Sequence, residues 1–340
     1  MKAILNLLKI IVINFLIFFI FIIIIEIFFG QWFKNKFFIK LSSERNISRI
    51  YEVNFENYSN KVNYKRNNYG FRYNDNNYNP DEIDIVFIGG STTNQKFLNY
   101  EKTIVGIIEK KFNNKKIVNA GIDGLSIKGH IKSFDFWFDK IDKFNPEYYV
   151  FYIGINDQFI LHEKEKLTNS DSFVEPSLEK KIRWYIKANS FFYLNIKKLQ
   201  TYLVKKYNIN YFNRVVNKKT KVYGERNTTN FIKYKEIENK NNLTNKFYIT
   251  LLEKLTAKVH NKNAKIIYIT QISGNGMSEN LFIIANSILK HCKEYNLKCI
   301  NLAKYSNLEF DDFYDWTHLN PKGSKKAAEY IFSELNKIIN

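Results

Sequence analysis

The sequence predicts a three-layer α/β/α sandwich built on a five-stranded parallel sheet, with one transmembrane helix at its N-terminus. Three observations lead there. Five short apolar runs without alternation read as strands buried on both faces. Stretches of helical periodicity separate them, as parallel connections require. A run of about 20 apolar residues, Ile10–Phe29, comes before everything else.

That run is long enough for a helix to cross a hydrocarbon core of about 30 Å. Only Asn14 and Glu26 interrupt it, and Glu26 lies within a turn of its end. Lys2 and Lys9 precede it, Lys34, Lys36 and Lys40 follow it, and Trp32 and Phe33 stand where interfacial aromatics stand. A cleaved signal peptide would have a shorter apolar region and small residues at the cut; here Gly30-Gln31-Trp32-Phe33 follow. The reading is therefore an N-terminal tail (1–9) and an uncleaved signal anchor (10–29). Lysines flank both ends of the anchor. The corresponding localisation is a single-pass protein of a bacterial inner membrane, with the body that follows the anchor extracytoplasmic.

Residues 30–80 are polar and rich in Asn and Tyr, and read as a juxtamembrane stalk with little regular structure that ends at Asn79-Pro80. From residue 81 the strands and helices alternate. Ile83–Ile88 is a strand that ends in Gly89-Gly90, and Glu101–Phe112 is an amphipathic helix. Lys116–Asn119 is a short strand, Ser126–Phe144 a helix, and Tyr148–Ile153 the third strand. Thr244–Asn261 is helical, with Thr244 as its N-cap. Lys265–Thr270 and Lys298–Leu302 are the last strands, with the helix Glu279–Tyr295 between them and Lys322–Ile339 closing the chain. Residues 159–243 break the rhythm and read as a helical insert lying near the site. The domain spans 81–340 with that insert inside it.

The charge invites a different reading. Lys and Arg total 52 against 33 Asp and Glu, a net charge of +19, which suggests a polyanionic partner. Yet the lysines are spread along the chain with no compact basic block, and Asn, Lys, Ile, Phe and Tyr are in excess together, as AT-rich codons produce. Nucleic acid is therefore not expected as a partner; the charge at most helps a tethered domain lie against an anionic membrane or glycan. Two cysteines exclude a disulfide scaffold, and five scattered histidines offer no metal cluster, so neither metal nor cofactor is expected. No pattern speaks to oligomeric state.

In an open parallel sheet, ligands bind beyond the carboxyl ends of the strands. After the first strand comes Gly89-Gly90-Ser91-Thr92-Thr93; after the second, Asn119-Ala120-Gly121-Ile122-Asp123-Gly124; after the third, Gly154-Ile155-Asn156-Asp157. Some way after the fifth comes Asp315-Trp316-Thr317-His318. Each residue alone has a plainer role: Ser91 could cap a helix, Gly124 could make a turn, and His318 could sit at the surface. No Gly-Lys-Ser/Thr follows Gly89-Gly90, so this is not a phosphate loop.

Taken in order, the blocks resemble the SGNH/GDSL hydrolase superfamily, whose four blocks carry Ser, Gly, Asn and His. The resemblance runs from about residue 83 to the C-terminus, leaves the insert uncovered, and implies a flavodoxin-like sheet. It makes Ser91 the nucleophile, Gly124 and Asn156 the glycine and asparagine of the middle blocks, and Asp315 and His318 the final D-x-x-H pair. One position departs: the family's G-D-S is here Gly89-Gly90-Ser91, which loosens any inference about substrate. The physical roles fit these residue types. His318 would take the Ser91 proton and return it to the leaving alcohol, and Asp315 would hold the imidazole. The N–H groups of Ser91 and Gly124 and the Asn156 amide would hold the oxyanion.

Gln271 follows the fourth strand and, with Thr92, is a candidate substrate contact. Asp157 is expected to be structural, capping the segment after it. Cys292 and Cys299 are either buried thiols or, in an extracytoplasmic domain, a disulfide. The expected function is a membrane-anchored serine esterase acting on O-acyl esters, acetyl among them, of envelope carbohydrate. The rivals are an O-acyltransferase to a glycan hydroxyl and a non-catalytic envelope glycan-binding protein.

Overall fold

A computed structural model describes residues 2–33, 45, 47–55, 58–73, 78–161, 178–207, 214–216, 231–238 and 243–340. Its centre is a five-stranded parallel sheet formed by β3 (Ile85–Gly89), β4 (Ile117–Asn119), β5 (Tyr148–Tyr152), β7 (Lys265–Ile269) and β8 (Lys298–Ile300), in the order β4-β3-β5-β7-β8. Successive residues of these strands enter opposite cores. Val86, Ile88, Tyr149, Phe151, Ile266 and Tyr268 face one cluster; Ile85, Phe87, Tyr148, Val150, Ile267 and Ile269 face the other. With both faces covered by apolar side chains, the strands need no polar alternation.

Two layers of helix cover the sheet. On one side lie α4 (Ile127–Phe136) and α8 (Lys246–His260); on the other lie α3 (Ile104–Lys111) and α11 (Pro321–Ile339). The helix α9 (Glu279–Glu294) packs on α8 and contributes to both clusters. Boundaries fall within a residue or two of the sequence reading except at α3, which starts at Ile104 after a 3-10 turn over Tyr100–Lys102, and at α4, which stops at Phe136 and is followed by a 3-10 turn over Phe138–Lys140. The cap of α8 is Asn245 rather than Thr244: its side chain accepts the Tyr248 N–H at 2.8 Å.

The expected stalk is not without structure. Residues 47–55 (β1) and 58–66 (β2) form an antiparallel hairpin in register from Ile47 opposite Arg66 to Phe55 opposite Tyr58. The sequence alternates there: Tyr51, Val53, Phe55, Tyr58, Val62 and Tyr64 are buried against Leu98 and Tyr314, while Asn and Lys face out. The high Asn and Tyr content hides that alternation in a reading by composition. A short third strand, β6 (Arg214–Val216), runs parallel to β1 from Tyr51 to Val53.

The N-terminal helix α1 (Lys2–Phe29) contains a stretch, Leu8–Phe29, long and apolar enough to cross a membrane. Its end is docked to the insert, whose described part includes α5 (Leu178–Asn189) and α6 (Phe191–Tyr207). The Glu26 carboxylate accepts the Ser190 hydroxyl at 2.6 Å and the N–H groups of Phe191 and Phe192, and so caps the start of α6. Trp32 Nε1 donates to the same carboxylate, and Tyr185 Oη donates to the Trp32 carbonyl. α6 packs on α1 and β1, and α5 packs on α6. Their position is thus fixed by α1 and the hairpin, while residues 231–238 of the insert lie against α9 and the 273–277 loop, which bonds to Trp316 beside Asp315.

Candidate active site

The site begins at the end of β3. Gly90 precedes a single helical turn, α2 (Ser91–Asn94), and its carbonyl accepts the N–H groups of Thr93 and Asn94. Gln95 ends the turn in the left-handed region, at φ 45°. Its side chain holds that conformation, accepting the Ile104 N–H and donating to Ser324 Oγ. Ser91 therefore stands at the first position of a short helix, where backbone N–H groups have no intrahelical acceptor.

The loop before α11 brings the partner residues. Asn320 caps α11 through the Gly323 N–H, and Pro321 opens that helix. The Tyr314 N–H donates to the His318 carbonyl, which closes the loop. Asp315 Oδ1 accepts the N–H groups of Thr317 at 2.7 Å and His318 at 2.6 Å. Its Oδ2 accepts His318 Nδ1–H at 2.8 Å, and Ser91 Oγ–H donates to His318 Nε2 at 2.7 Å. Asp315 and His318 are buried while Ser91 is partly exposed, so the chain of hydrogen bonds runs from the interior to an open hydroxyl. Such a chain can move the serine proton to the imidazole and hold the resulting imidazolium beside a carboxylate.

The strand order puts the other two motif residues on either side. β4 and β5 flank β3, so the loops carrying Gly124 and Asn156 border Ser91. Gly124 has φ +79°, a conformation that favours glycine. Asn156 Nδ2 donates one hydrogen to the Leu125 carbonyl at 2.7 Å, and its second N–H is the one an oxyanion could take. The Gly90 departure also has a spatial reason. A Cβ at position 90 would sit 2.3 Å from Asn156 Nδ2, so the amide occupies the space that a side chain would need.

Three residues are placed differently from the sequence reading. Gln271 is buried: its Oε1 accepts the Ile155 N–H, and its Nε2 donates to Thr92 Oγ1 at 2.8 Å and the Tyr152 carbonyl at 3.0 Å. Thr92 is likewise buried and turned toward Gln271. Both brace the edge from behind, and their polar atoms are directed inward, away from a substrate. Asp157 caps not its own segment but α4, accepting the Ile127 N–H at 2.7 Å and the Tyr248 hydroxyl at 2.7 Å. Cys292 and Cys299 are joined, with Cα atoms 6.1 Å apart. Among the described residues no group of three or more His, Cys, Asp or Glu is placed to hold a metal.

The structure adds supports that the motifs do not include. Arg66 and Arg72 are buried behind α2. Arg66 donates to Asn94 Oδ1 and to the Gly121 carbonyl; Arg72 donates to the carbonyls of Asn94, Gln95 and Leu98. Burial lowers the Arg72 guanidinium to about 10, which leaves it charged at neutral pH. Asp123 accepts Asn94 Nδ2 at 2.7 Å and pairs with Lys96. Burial raises the Asp123 carboxyl, but Lys96 and the Asn94 amide outweigh it and hold the carboxyl below its ordinary value. The hairpin thus completes the site. The signal for it was two arginines next to alternating aromatics.

A family model for GDSL-like lipases and acylhydrolases matches residues 54–331. The chain belongs to that family. As a GDSL-like acylhydrolase it is a hydrolase of ester bonds. The matched span begins inside the hairpin, so the domain reaches further toward the N-terminus than residue 81. No curated protein gives a significant match. Solved structures to which this acylhydrolase is similar include a member of the lipolytic G-D-S-L family from Veillonella parvula, at 15% identity and TM-score 0.42, covering 74% of this chain and 97% of that one. An acetylxylan esterase from Geobacillus stearothermophilus matches at 13% identity and TM-score 0.42, covering 74% of this chain and 94% of that one. The esterase EstA from Pseudoalteromonas matches at 13% identity and TM-score 0.42, over 76% and 98% of the two chains.

Proposed function

We propose that this acylhydrolase is a membrane-anchored serine esterase that removes O-acyl groups, acetyl among them, from envelope carbohydrate. The observation that carries this reading is the hydrogen-bonded chain Ser91–His318–Asp315 at the carboxyl edge of the sheet. Ser91 Oγ attacks the ester carbonyl carbon while His318 Nε2 takes its proton. The N–H groups of Ser91 and Gly124 and the second Asn156 amide hydrogen receive the oxyanion; one such donor is commonly worth about 10²–10³ in rate. The carbonyl re-forms, the sugar hydroxyl leaves with the proton from His318, and the acyl group stays on Ser91. Water then attacks the acyl-enzyme, His318 takes the water's proton and returns it to Ser91, and the carboxylic acid departs.

The apolar stretch Leu8–Phe29, intact charge on both flanks and Trp32 at its end support an uncleaved anchor. The Cys292–Cys299 bond supports an oxidising, extracytoplasmic setting for the domain. A tethered site of this kind meets acylated glycans at the membrane surface. The test is to offer the purified full chain acetylated glycans and short-chain aryl esters and identify the products. Release of acid, abolished in Ser91→Ala, supports the reading; undiminished turnover in Ser91→Ala overturns the mechanism. Transfer of the acyl group to a second sugar would redirect it to acyl transfer. Alkaline carbonate extraction tests the anchor: the full chain should stay with the membrane and a chain lacking residues 1–33 should not.

A further inference from the structure

A cavity of about 580 Å³ lies between the hairpin and α6, away from the catalytic serine. Its described wall is basic. Lys65 and Arg66 come from the end of β2, and Lys197 and Lys198 come from α6; no Asp or Glu is among the described residues lining it. Its size lies in the range of small-ligand sites. Two buried acceptors at its wall, Asn63 Oδ1 and Gln31 Oε1, have no hydrogen-bond partner among the described residues. A buried amide left in that state is costly, and a rotated amide would offer N–H donors to the same space.

Its place in the chain is informative. Gln31 lies two residues beyond Phe29, the last residue of the apolar helix, so the cavity opens where that helix ends. The helices beside it expose apolar side chains at helical spacing. Leu178, Ile182 and Ile186 form a stripe on α5, and Ile196 and Leu199 stand exposed on α6. A soluble flank would not keep such stripes exposed next to a basic cavity, whereas a bilayer surface offers apolar chains and anionic headgroups together.

We infer that this cavity binds the phosphate-bearing headgroup of an anionic membrane lipid, with Lys65, Lys197 and Lys198 facing the phosphate. The apolar stripes of α5 and α6 lie against the lipid's acyl region. The assignment rests on the anchor reading for its placement, but not on the catalytic one. Ammonium groups around a phosphate make charge-assisted hydrogen bonds, and several lysines on one phosphate add to the attraction. The cavity is also connected to the site, because Arg66 in its wall donates to Asn94 and Gly121 behind α2.

The test is equilibrium binding to the full chain in a neutral detergent. The probes are dihexanoyl phosphatidylglycerol, dihexanoyl phosphatidylcholine and glycerol 1-phosphate. Phosphatidylglycerol should bind saturably and one to one. The Lys65→Ala/Lys197→Ala/Lys198→Ala variant should bind it about tenfold or more weakly, with an unchanged Tm. Should that variant lose its fold, Lys198→Glu decides, since Lys198 is exposed. Equal binding of phosphatidylcholine, or unweakened binding by the folded variant, overturns the inference. Glycerol 1-phosphate binding as tightly as the lipid overturns the lipid assignment in favour of a soluble phosphate ester. No turnover is read, so an inactive enzyme leaves the result interpretable, and carbonate extraction reports separately on the anchor.

Discussion

The Tyr314 ring lies flat against the His318 imidazole, 5.5 Å between centroids and 10° between planes. Phe55 also stacks on Tyr314, at 4.4 Å and 6°. The hairpin, the loop and the histidine thus form one stack. Burial pushes the Tyr314 hydroxyl well above its ordinary value, so the ring stays neutral beside Asp315.

The stack makes Tyr314 a positioning residue. Tyr314→Ala should lower kcat about tenfold or more with little change in KM, because a small misplacement of a catalytic group is expensive. Tyr314→Phe should restore the rate, since the face and not the hydroxyl touches His318. Steady-state kinetics on a short-chain aryl ester check both; a Tyr314→Ala enzyme with native kcat removes the role.

Gly90 is small because the Asn156 amide lies where its Cβ would go. Gly90→Ala should displace that amide and cost on the order of 10²–10³ in kcat, the usual loss for one oxyanion donor. Asn156→Ala should cost a similar amount, and combining the two should add little. Full additivity of the two losses counts against the shared cause.

Gln271 acts on stability. Gln271→Leu leaves the Ile155 N–H, Thr92 Oγ1 and the Tyr152 carbonyl without this partner. Denaturant unfolding should show a loss of about 1–3 kcal/mol, and KM should not move. A raised KM at native stability would instead return Gln271 to the substrate.

Acid should loosen the Asp123–Lys96 pair. Asp123 sits below its ordinary 3.8 in the folded protein, so its contribution is full above that value. The contribution is lost as pH falls through the lower folded value. Tm measured from pH 6 to pH 3 should therefore fall less steeply for Asp123→Asn than for the native chain, and parallel curves would contradict the pairing.

The central sheet was legible because strands buried on both faces must be apolar throughout, and Val86, Phe151 and Ile267 have no polar neighbours to confuse the period. The site was legible because Ser91, Gly124, Asn156 and His318 each follow a strand in chain order, and the fold brings Ser91, His318 and Asp315 into hydrogen-bond contact. The hairpin was not: its alternation is local, but the surrounding Asn and Tyr hide it from a reading by composition, and the residues it packs on, Leu98 and Tyr314, lie far along the chain. Gln271 and Thr92 were misplaced because strand-end position fixes which edge a residue occupies but not whether its side chain turns out or back.

The central claim is an acyl group carried by Ser91. It is tested by quenching the full chain at early times with an excess of p-nitrophenyl acetate and mapping the modified peptide by mass spectrometry. One acetyl group on the Ser91 peptide, appearing with the burst and absent from Ser91→Ala, is the predicted result. An unmodified Ser91 in an enzyme that turns the ester over, or an acetyl group found elsewhere at that rate, would contradict it.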